Sequence, residues 1–459
     1  MCASDLPRLL AIRRHPRGEL PLASGRWGSA NARAPMNATG KGRERWSRLL
    51  DCHPGEGRAL FWSFAGFFLL LSGYYILRPV REEMGVRIGL ENLQWAFTLT
   101  LVGMLVAVPL YGLAAARLRR RALLATVFLV TALVLAAFQA WIAGGASEIA
   151  ALALFVWVSV FNLIIVSLFW AAMADTFDHA QARRLFGMIA AGGSSGALVG
   201  PTITALSVHT IGVHGLLLLS AGLIVASLLC ILQVADGRVR TAAAQPIGGN
   251  VFAGLAEIAA SPFLALLALL TVLQSVVGTF IYVEQTRLVK AAALTSEART
   301  QLFALIDLAV NILALGLQAL VAGRLMQKLG LGKTLAVVPT LLLLPLAVLA
   351  ALPALAVLLV IQVIARAGGH GLVRPAREAL FTAVEREARY KAKNVIDTVI
   401  SRAGDALGSW LAIVSGLGTV GAALAVIPGA VLMAWIGLRL GKDYQRRVTV
   451  NTATDPPAT

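Results

Sequence analysis

Charged residues are scarce in this sequence: Asp, Glu, Lys and Arg make up 14% of its 459 residues, whereas hydrophobic residues make up 58%. Because soluble domains carry about 25% charged residues, the composition excludes an ordinary water-soluble protein. The apolar residues occur in long blocks, such as Ala122–Trp141 and Leu335–Ile364. About 20 apolar residues in a helix match the ~30 Å hydrocarbon core of a bilayer. We therefore predict an all-α polytopic membrane protein.

The residues that build catalytic and metal sites are also few. The three cysteines (Cys2, Cys52 and Cys230) show neither metal-site nor disulfide spacing. The six histidines are scattered, and the chain has no HExxH or GxSxG motif. Gly332-Lys333-Thr334 resembles the end of a P-loop, but Gln327 stands where the first glycine is needed. We expect a protein that is not an enzyme and that has no cofactor or metal site.

The net charge of +17 would suggest nucleic-acid binding in a soluble protein, but here the cations cluster between apolar blocks. The connections rich in Arg and Lys alternate with nearly neutral ones, which is the positive-inside pattern. The pattern predicts an integral protein of the bacterial inner membrane, with both termini in the cytoplasm. We expect the lipid bilayer as its partner, no nucleic acid, and a monomer.

The apolar blocks predict twelve transmembrane helices in two six-helix halves, an arrangement typical of a large transporter superfamily. The spans are predicted at residues 59–78, 93–116, 122–143, 149–174, 186–208, 215–235, 261–283, 301–325, 334–351, 353–372, 395–415 and 419–440. The corresponding divisions are a disordered basic cytoplasmic tail (1–58), an N-terminal six-helix bundle (59–235), a central cytoplasmic linker (236–260), a C-terminal six-helix bundle (261–440) and a cytoplasmic C-terminal tail (441–459).

An internal repeat supports the two halves. The second span ends in Gly112 with Arg117 five residues later, and the eighth ends in Gly323 with Lys328 five residues later. Both loops resemble, in degenerate form, the motif between helices two and three of the major facilitator superfamily. The alternative is ordinary cytoplasmic charge.

Ionisable residues within spans are expensive and are therefore functional candidates. Arg78 and Arg81, three residues apart, lie at the outer end of the first span, where they suit an anionic group. Glu284 and Arg287 lie at the equivalent end of the seventh span. We hypothesise that Glu284 pairs with the two arginines and closes an outer gate; the alternative is snorkelling at the interface.

A second charged group lies on the predicted cytoplasmic side. Asp175 ends the fourth span, while Lys391 and Lys393 precede the eleventh. Asp175 paired with Lys393 would form an inner gate, although Lys393 can instead pair locally with Asp397, four residues away.

Further polar residues lie inside two predicted spans. Arg402 and Asp405, three residues apart, predict an internal pair facing a wet cavity. Asp307 and Asn311 form a polar stripe, in which Asp307 either carries a coupled proton or joins helices through hydrogen bonds.

The fifth span contains a run of small residues, Gly196-Ala-Leu-Val-Gly200-Pro201. Small residues four apart permit close helix packing. The run also resembles the fifth-helix motif of facilitator-superfamily antiporters, so packing and an antiporter role both remain open.

Several strings resemble the ATP/ADP translocase (nucleotide transporter) family, a distant branch of the facilitator superfamily. They are Tyr75-Ile-Leu-Arg78-Pro-Val-Arg81-Glu82, Leu168-Phe-Trp170-Ala-Ala-Met-Ala-Asp175, Ala182-Arg183-Arg184-Leu-Phe186-Gly187 and Lys391-Ala-Lys393-Asn-Val-Ile-Asp397. The resemblance implies that Arg81-Glu82 stands for the family's basic–acidic pair and that Asp175, Glu284 and Lys393 match its other charged positions. Residue type differs at several of these positions, although charge sign is kept.

These observations together predict a secondary transporter that works by alternating access on a small anionic solute. Candidate solutes are nucleotides such as ATP and ADP or other phosphorylated metabolites, with a proton as a candidate coupling ion. One alternative is a facilitator-type transporter of an unrelated solute coupled to protons. The other is a membrane scaffold or receptor that binds without transporting.

Overall fold

The computed structural model describes His53 and residues 56–145, 147–234 and 251–454. Within these residues all regular structure is helical. The α-helices are α1 (Gly57–Ile88), α2 (Leu90–Arg117), α3 (Arg120–Ala143), α4 (Glu148–Thr176), α5 (His179–Val234), α6 (Val251–Ala260), α7 (Pro262–Ala291), α8 (Ser296–Gly316), α9 (Gly323–Ala351), α10 (Leu355–Gly368), α11 (Arg374–Leu380), α12 (Arg386–Val395), α13 (Ser401–Val414) and α14 (Thr419–Thr454). This confirms the all-α membrane architecture.

Nine helical stretches in the described part of the chain are long and apolar enough to cross a membrane. Two of them, Ala180–Val234 and Ser296–Ala351, have 55 and 56 residues, about twice the length that one crossing needs. Each contains one glycine with positive φ, Gly212 at 64° and Gly330 at 79°. Because residues with a Cβ rarely adopt this conformation, each glycine lets the chain bend there. The total of twelve spans stays a prediction.

The predicted domain boundaries fall partly outside the described residues. The N-terminal tail, 1–58, is described only at His53 and from Glu56 onward. Of the predicted central linker, 236–260, the described portion is helix α6. The predicted C-terminal tail, 441–459, continues helix α14 as far as Thr454. We call residues 57–234 the first half and residues 251–454 the second half.

Close packing within the first half depends on the small residues of α5. A Cβ at Gly200 would lie 2.6 Å from the carbonyl oxygen of Ser72 in α1. The Ser220 and Ser227 hydroxyls of α5 donate to the carbonyl oxygens of Gly73 and Gly66 in α1, at 2.9 and 2.7 Å. The predicted packing role of the glycine run is therefore confirmed, and α1 is the helix it contacts.

The two halves meet along two main seams. Helix α8 packs against α5 and α1, and helix α13 packs against α2. The Asn311 side chain of α8 donates to the Ala197 carbonyl oxygen of α5 at 2.8 Å. In the other seam, the Trp410 indole of α13 donates to the Thr98 hydroxyl of α2 at 3.0 Å. These seams leave a polar space between the halves.

Three π-helical segments interrupt the helices of the second half, at Leu317–Ala322, Gly369–Val373 and Ile396–Ile400. A π-turn shifts the side chains that follow it around the helix axis, and such turns are frequent at functional sites. Two of these segments carry His370 and Asp397, and both residues line the space between the halves.

Candidate functional site

A cavity of about 570 Å³ lies between the two halves, and its wall is rich in arginine. It is lined by residues of α1 and α2 from the first half and by residues of the second half from α7 to α14. The charged lining residues are Arg78, Arg81, Arg366, Arg374, Arg377, Arg402, Glu82, Asp397 and Asp405. Six guanidinium groups against three carboxylates give this wall an excess of positive charge.

Two of the arginines share the buried carboxylate of Asp307, one from each half of the molecule. Arg78 of α1 lies 3.6 Å from Asp307 of α8, and Arg366 of α10 forms a direct ion pair with the same carboxylate. Asp307 is 1% exposed. Since a buried carboxylate needs such partners, Asp307 holds the two guanidinium groups at the cavity wall. Asp307 thus joins α8 to α1 and α10, in line with the second of the two roles that the sequence offered for it.

The cavity wall toward α12 is built from paired charges of the second half. Arg377 donates to Asp397 at 2.8 Å, and Lys393 donates to the other oxygen of Asp397 at 2.7 Å. Arg402 donates to Asp405 at 2.9 Å, and both residues line the cavity. The pair predicted between Arg402 and Asp405 is present.

Arg374, at the start of α11, differs from the other cavity arginines in its side-chain contacts. In the described ranges it forms no ion pair and no side-chain hydrogen bond, and its side chain is exposed. The preceding π-turn carries His370, which also lines the cavity. The Gln318 side chain donates to the His370 carbonyl oxygen at 2.9 Å. The guanidinium donors of Arg374 are therefore available to a bound solute.

At the end of the bundle where α1 finishes, an ion pair and hydrogen bonds join the two halves; we call this the Glu83 end. Glu83 of α1 is 0% exposed and accepts from Arg299 of α8 at 2.6 and 2.8 Å. It also accepts from the Ser296 hydroxyl at 2.8 Å. Nearby, the Gln301 side chain of α8 donates to the Ala205 carbonyl oxygen of α5 at 2.9 Å. These contacts connect the halves at this end.

At the opposite end, which we call the Asp175 end, the ion pairs join residues of the same half. Asp175 of α4 pairs with Arg120 of α3, which also donates to the Ala171 carbonyl oxygen at 2.9 Å. Glu56 accepts from Arg184 at 3.0 Å, and the Arg184 hydrogen bonds lower the pKa of Glu56 to about 2. In the second half, Lys393 pairs with Glu378 at 3.0 Å.

The two gate pairs predicted from the sequence have other partners here. Glu284 is buried but lies 3.6 Å from Arg287 of its own helix, and Arg287 donates to the Leu417 carbonyl oxygen at 2.7 Å. Lys393 forms the local pair with Asp397 that the sequence offered as the alternative. Charged groups four residues apart on a helix are already neighbours, whereas pairing across the halves requires the helices to approach.

The remaining predicted site residues lie in different surroundings. Lys391 pairs with Glu387 at 2.6 Å on the exposed side of α12. Asn311 joins the halves through its hydrogen bond to α5. Arg81 and Glu82 line the cavity side by side, 3.5 Å apart.

Sequence reasoning missed Arg366, Arg374, Arg377 and the Glu83–Arg299 pair. Arg366 lies inside the predicted span 353–372, so the rule that flagged Arg78 would also have flagged it. Arg374 and Arg377 fall in a predicted loop because the span is predicted to end at residue 372, whereas the π-helical segment and α11 continue the helix to Leu380. Glu83 and Arg299 are 216 residues apart, and no local pattern connects them.

The family model of the Major Facilitator Superfamily matches residues 59–388. This is well over half of the chain, and it covers both sides of the cavity. The chain belongs to the major facilitator superfamily. Membership, together with the structural neighbours below, makes it a membrane transporter of a small solute and not an enzyme.

Solved structures of the same fold include other facilitator-superfamily transporters. The nucleoside transporter NupG has a TM-score of 0.59 at 16% identity, over 86% of this chain and 99% of its own. A bacterial homolog of the human lysosomal transporter Spinster, inward-facing and unoccupied, has 0.57 at 14% identity, over 86% and 98%. The human organic anion transporter MFSD10 (TETRAN) has 0.53 at 16% identity, over 84% and 100%.

Comparison with curated protein sequences finds no match. At these identities the structural neighbours establish the fold alone, and the resemblance to ATP/ADP translocases stays a prediction. The substrate of this facilitator-superfamily chain has to be argued from its own cavity.

Proposed function

We propose that the chain is a secondary transporter that moves a small anionic solute across the membrane by alternating access. The observation that carries this proposal is the arginine-rich cavity between the halves, with Arg374 open to it. Even with Asp307 added to the lining carboxylates, six guanidinium groups face four carboxylates. Guanidinium groups suit phosphate and carboxylate oxygens because their donors form a planar fork.

The positions of the arginines suggest how solute binding would act on both halves. Arg78 belongs to the first half, while Arg366 and Arg374 belong to the second. An anion bound among them competes with Asp307 for Arg78 and Arg366, and it contacts both halves at once. Because the solute interacts with both halves, its binding can change which end of the bundle is closed.

The conformation itself supports a state open on one side. The Glu83–Arg299 ion pair joins the halves at the Glu83 end, whereas the ion pairs named at the Asp175 end stay within each half. The excess of Arg and Lys in the loops at the Asp175 end supports a cytoplasmic location for that end by the positive-inside rule. We therefore assign the structure to a conformation open toward the cytoplasm.

A nucleotide or another phosphorylated metabolite is the solute class that we favour. The strings that resemble ATP/ADP translocases include Arg81-Glu82, and both residues line the cavity. Two structural neighbours are a nucleoside transporter and an organic anion transporter. We favour exchange over proton coupling because Asp307, the candidate proton carrier, is engaged by two arginines.

The test is uptake into proteoliposomes of labelled ATP, ADP and small phosphate esters, with and without the same anions preloaded. Arg374→Gln should raise the KM for the transported anion tenfold or more, because a hydrogen bond to a charged group contributes about 1.5–3 kcal/mol. Arg446→Gln makes the same chemical change on an exposed side chain and should leave uptake unchanged. Uptake that Arg374→Gln does not alter, or binding without any flux, would contradict the proposal.

A further inference from the structure

Arg81 and Glu82 form a charged pair in the cavity wall near the Glu83 end, and the pair is loosely engaged. The Arg81 Nη1 atom lies 3.5 Å from the Glu82 Oε1 atom, beyond the usual range of an N–H···O hydrogen bond. The Arg81 guanidinium instead lies 4.3 Å from the centre of the Phe155 ring. The contact with Phe155 positions the Arg81 guanidinium, and the Glu82 carboxylate is left without a close ion-pair partner.

Buried polar atoms around this pair have no hydrogen-bond partner in the part of the chain that the structure describes. They are Glu82 Oε2, Arg81 Nε and Gln285 Oε1. The Tyr282 hydroxyl lies beside Glu82 and interacts with its carboxylate. Glu82 is 7% exposed and Gln285 is 3% exposed, and both line the cavity. Buried polar groups in native proteins are almost always paired, so a cluster without partners indicates a ligand site.

The other two carboxylates of the cavity wall are satisfied. Asp397 accepts from Arg377 and Lys393 at 2.8 and 2.7 Å, and Asp405 accepts from Arg402 at 2.9 Å. Among the carboxylates that line the cavity in the described residues, Glu82 thus has an oxygen left over. Asp307 Oδ2, outside the lining, also has no hydrogen bond but lies 3.6 Å from Arg78. Gln285 adds a neutral carbonyl acceptor to the same wall.

We propose that Glu82 and Gln285 accept hydrogen bonds from a nitrogen of the solute, so that the transported anion also carries an ammonium or amino group. This inference rests on the proposed anion transport and narrows it to solutes with an N–H donor. The anionic part binds to the arginines, and Arg81 stands beside Glu82 to contact it as well. Because a charge-assisted hydrogen bond to the Glu82 carboxylate adds to the affinity, a solute with such a donor should bind more tightly than a solute without it.

The experiment compares solutes that differ in one nitrogen. The matched pairs are 2-aminoethyl phosphate with ethyl phosphate, 3-aminopropionate with propionate, and adenosine monophosphate with purine riboside monophosphate, which lacks the 6-amino group and has no N–H on its base. Binding to the full-length protein in detergent is measured by the rise in its unfolding temperature with solute concentration, and competition with uptake is measured in proteoliposomes.

In the parent protein we expect the amino member of at least one pair to bind tenfold or more tightly than its match. In Glu82→Gln this preference should fall below threefold, because the amino member loses its charged acceptor while the amino-free member does not. Glu82→Asp keeps the charge and should retain part of the preference. Unfolding of the solute-free variants shows whether each one is folded.

Three results separate the inference from the function on which it rests. Equal binding of both members of every pair overturns the N–H subsite and leaves anion transport standing. A preference that survives Glu82→Gln also overturns it. Failure of every anion to bind or compete contradicts the proposed anion transport, and the subsite inference with it.

Discussion

The two ends of the bundle use the same chemistry, carboxylates paired with arginines, but they place it in opposite ways. At the Glu83 end, the fully buried Glu83 of the first half is held by Arg299 of the second half at 2.6 Å. At the Asp175 end, Asp175 is 45% exposed and pairs with Arg120 of its own half. An ion pair that spans the halves controls their separation, whereas one within a half only stabilises that half.

The largest difference between the ends should appear on neutralising each carboxylate. Glu83→Gln leaves Arg299 and Arg87 partly buried without their anion, and removing one partner of a buried pair costs about 3–5 kcal/mol. Asp175→Asn removes an exposed pair and should cost less than about 1 kcal/mol. Both free energies of unfolding are measured in the same detergent.

A double variant provides the control for this comparison. Arg299→Gln added to Glu83→Gln should cost little more, because the two residues act together. If Glu83→Gln and Asp175→Asn lower the free energy of unfolding equally, the proposed difference between the Glu83 end and the Asp175 end is contradicted.

The second prediction concerns what happens at the Asp175 end when the Glu83 end is weakened. In a chain whose native cysteines are replaced by serine, we introduce Asp175→Cys and Lys393→Cys. A short cross-linker should join them weakly in this background and severalfold more when Glu83→Gln is added. Loss of the contact at one end favours the conformation closed at the other.

A pair within one half provides the comparison for this cross-link. Arg120→Cys with Asp175→Cys should react equally with and without Glu83→Gln, because both residues belong to the first half. If the Asp175–Lys393 yield does not respond to Glu83→Gln, the ends are not coupled.

The smallest effect is expected at Glu56, outside the membrane-spanning helices. Its pKa is lowered from 4.5 to about 2, so the folded protein gains stability above pH 4.5 and loses it as pH falls toward 2. Glu56→Gln should lower the free energy of unfolding by about 1 kcal/mol at pH 7. Thermal unfolding of parent and variant should converge as the pH falls through this range, and a constant difference would contradict the assignment.

Sequence reasoning found several cavity residues because charge within an apolar block is rare. Arg78, Arg402 and Asp405 were selected in this way, and all three line the cavity. Their partners were harder to predict. Arg402 and Asp405 are three residues apart and pair as expected, whereas Arg78 pairs with Asp307 more than 200 residues away.

The outer-gate residues predicted from the sequence have other partners in this structure for the same reason. The inner gate, which would close only in the opposite conformation, stays a prediction. The sequence predicts Arg78 and Arg81 at the outer end of a span that stops at residue 78, whereas α1 continues to Ile88 and both arginines line the cavity. Their expected partner, Glu284, pairs with Arg287. Glu83, one residue beyond Glu82, was not among the residues predicted from the sequence. Adjacent residues on a helix point in directions about 100° apart, so depth does not determine which helix a side chain meets.

The sequence by itself determined the helical membrane architecture, because the length and spacing of apolar blocks are set by the thickness of the hydrocarbon core. It also determined which charges would be costly enough in lipid to require partners. Only the tertiary structure decided those partners, since ion pairs and hydrogen bonds depend on distances of a few ångströms between helices far apart in the chain. Packing likewise determines the π-turns that carry His370 and Asp397. It also determines that the Glu82 Oε2 atom has no hydrogen-bond partner in the described residues.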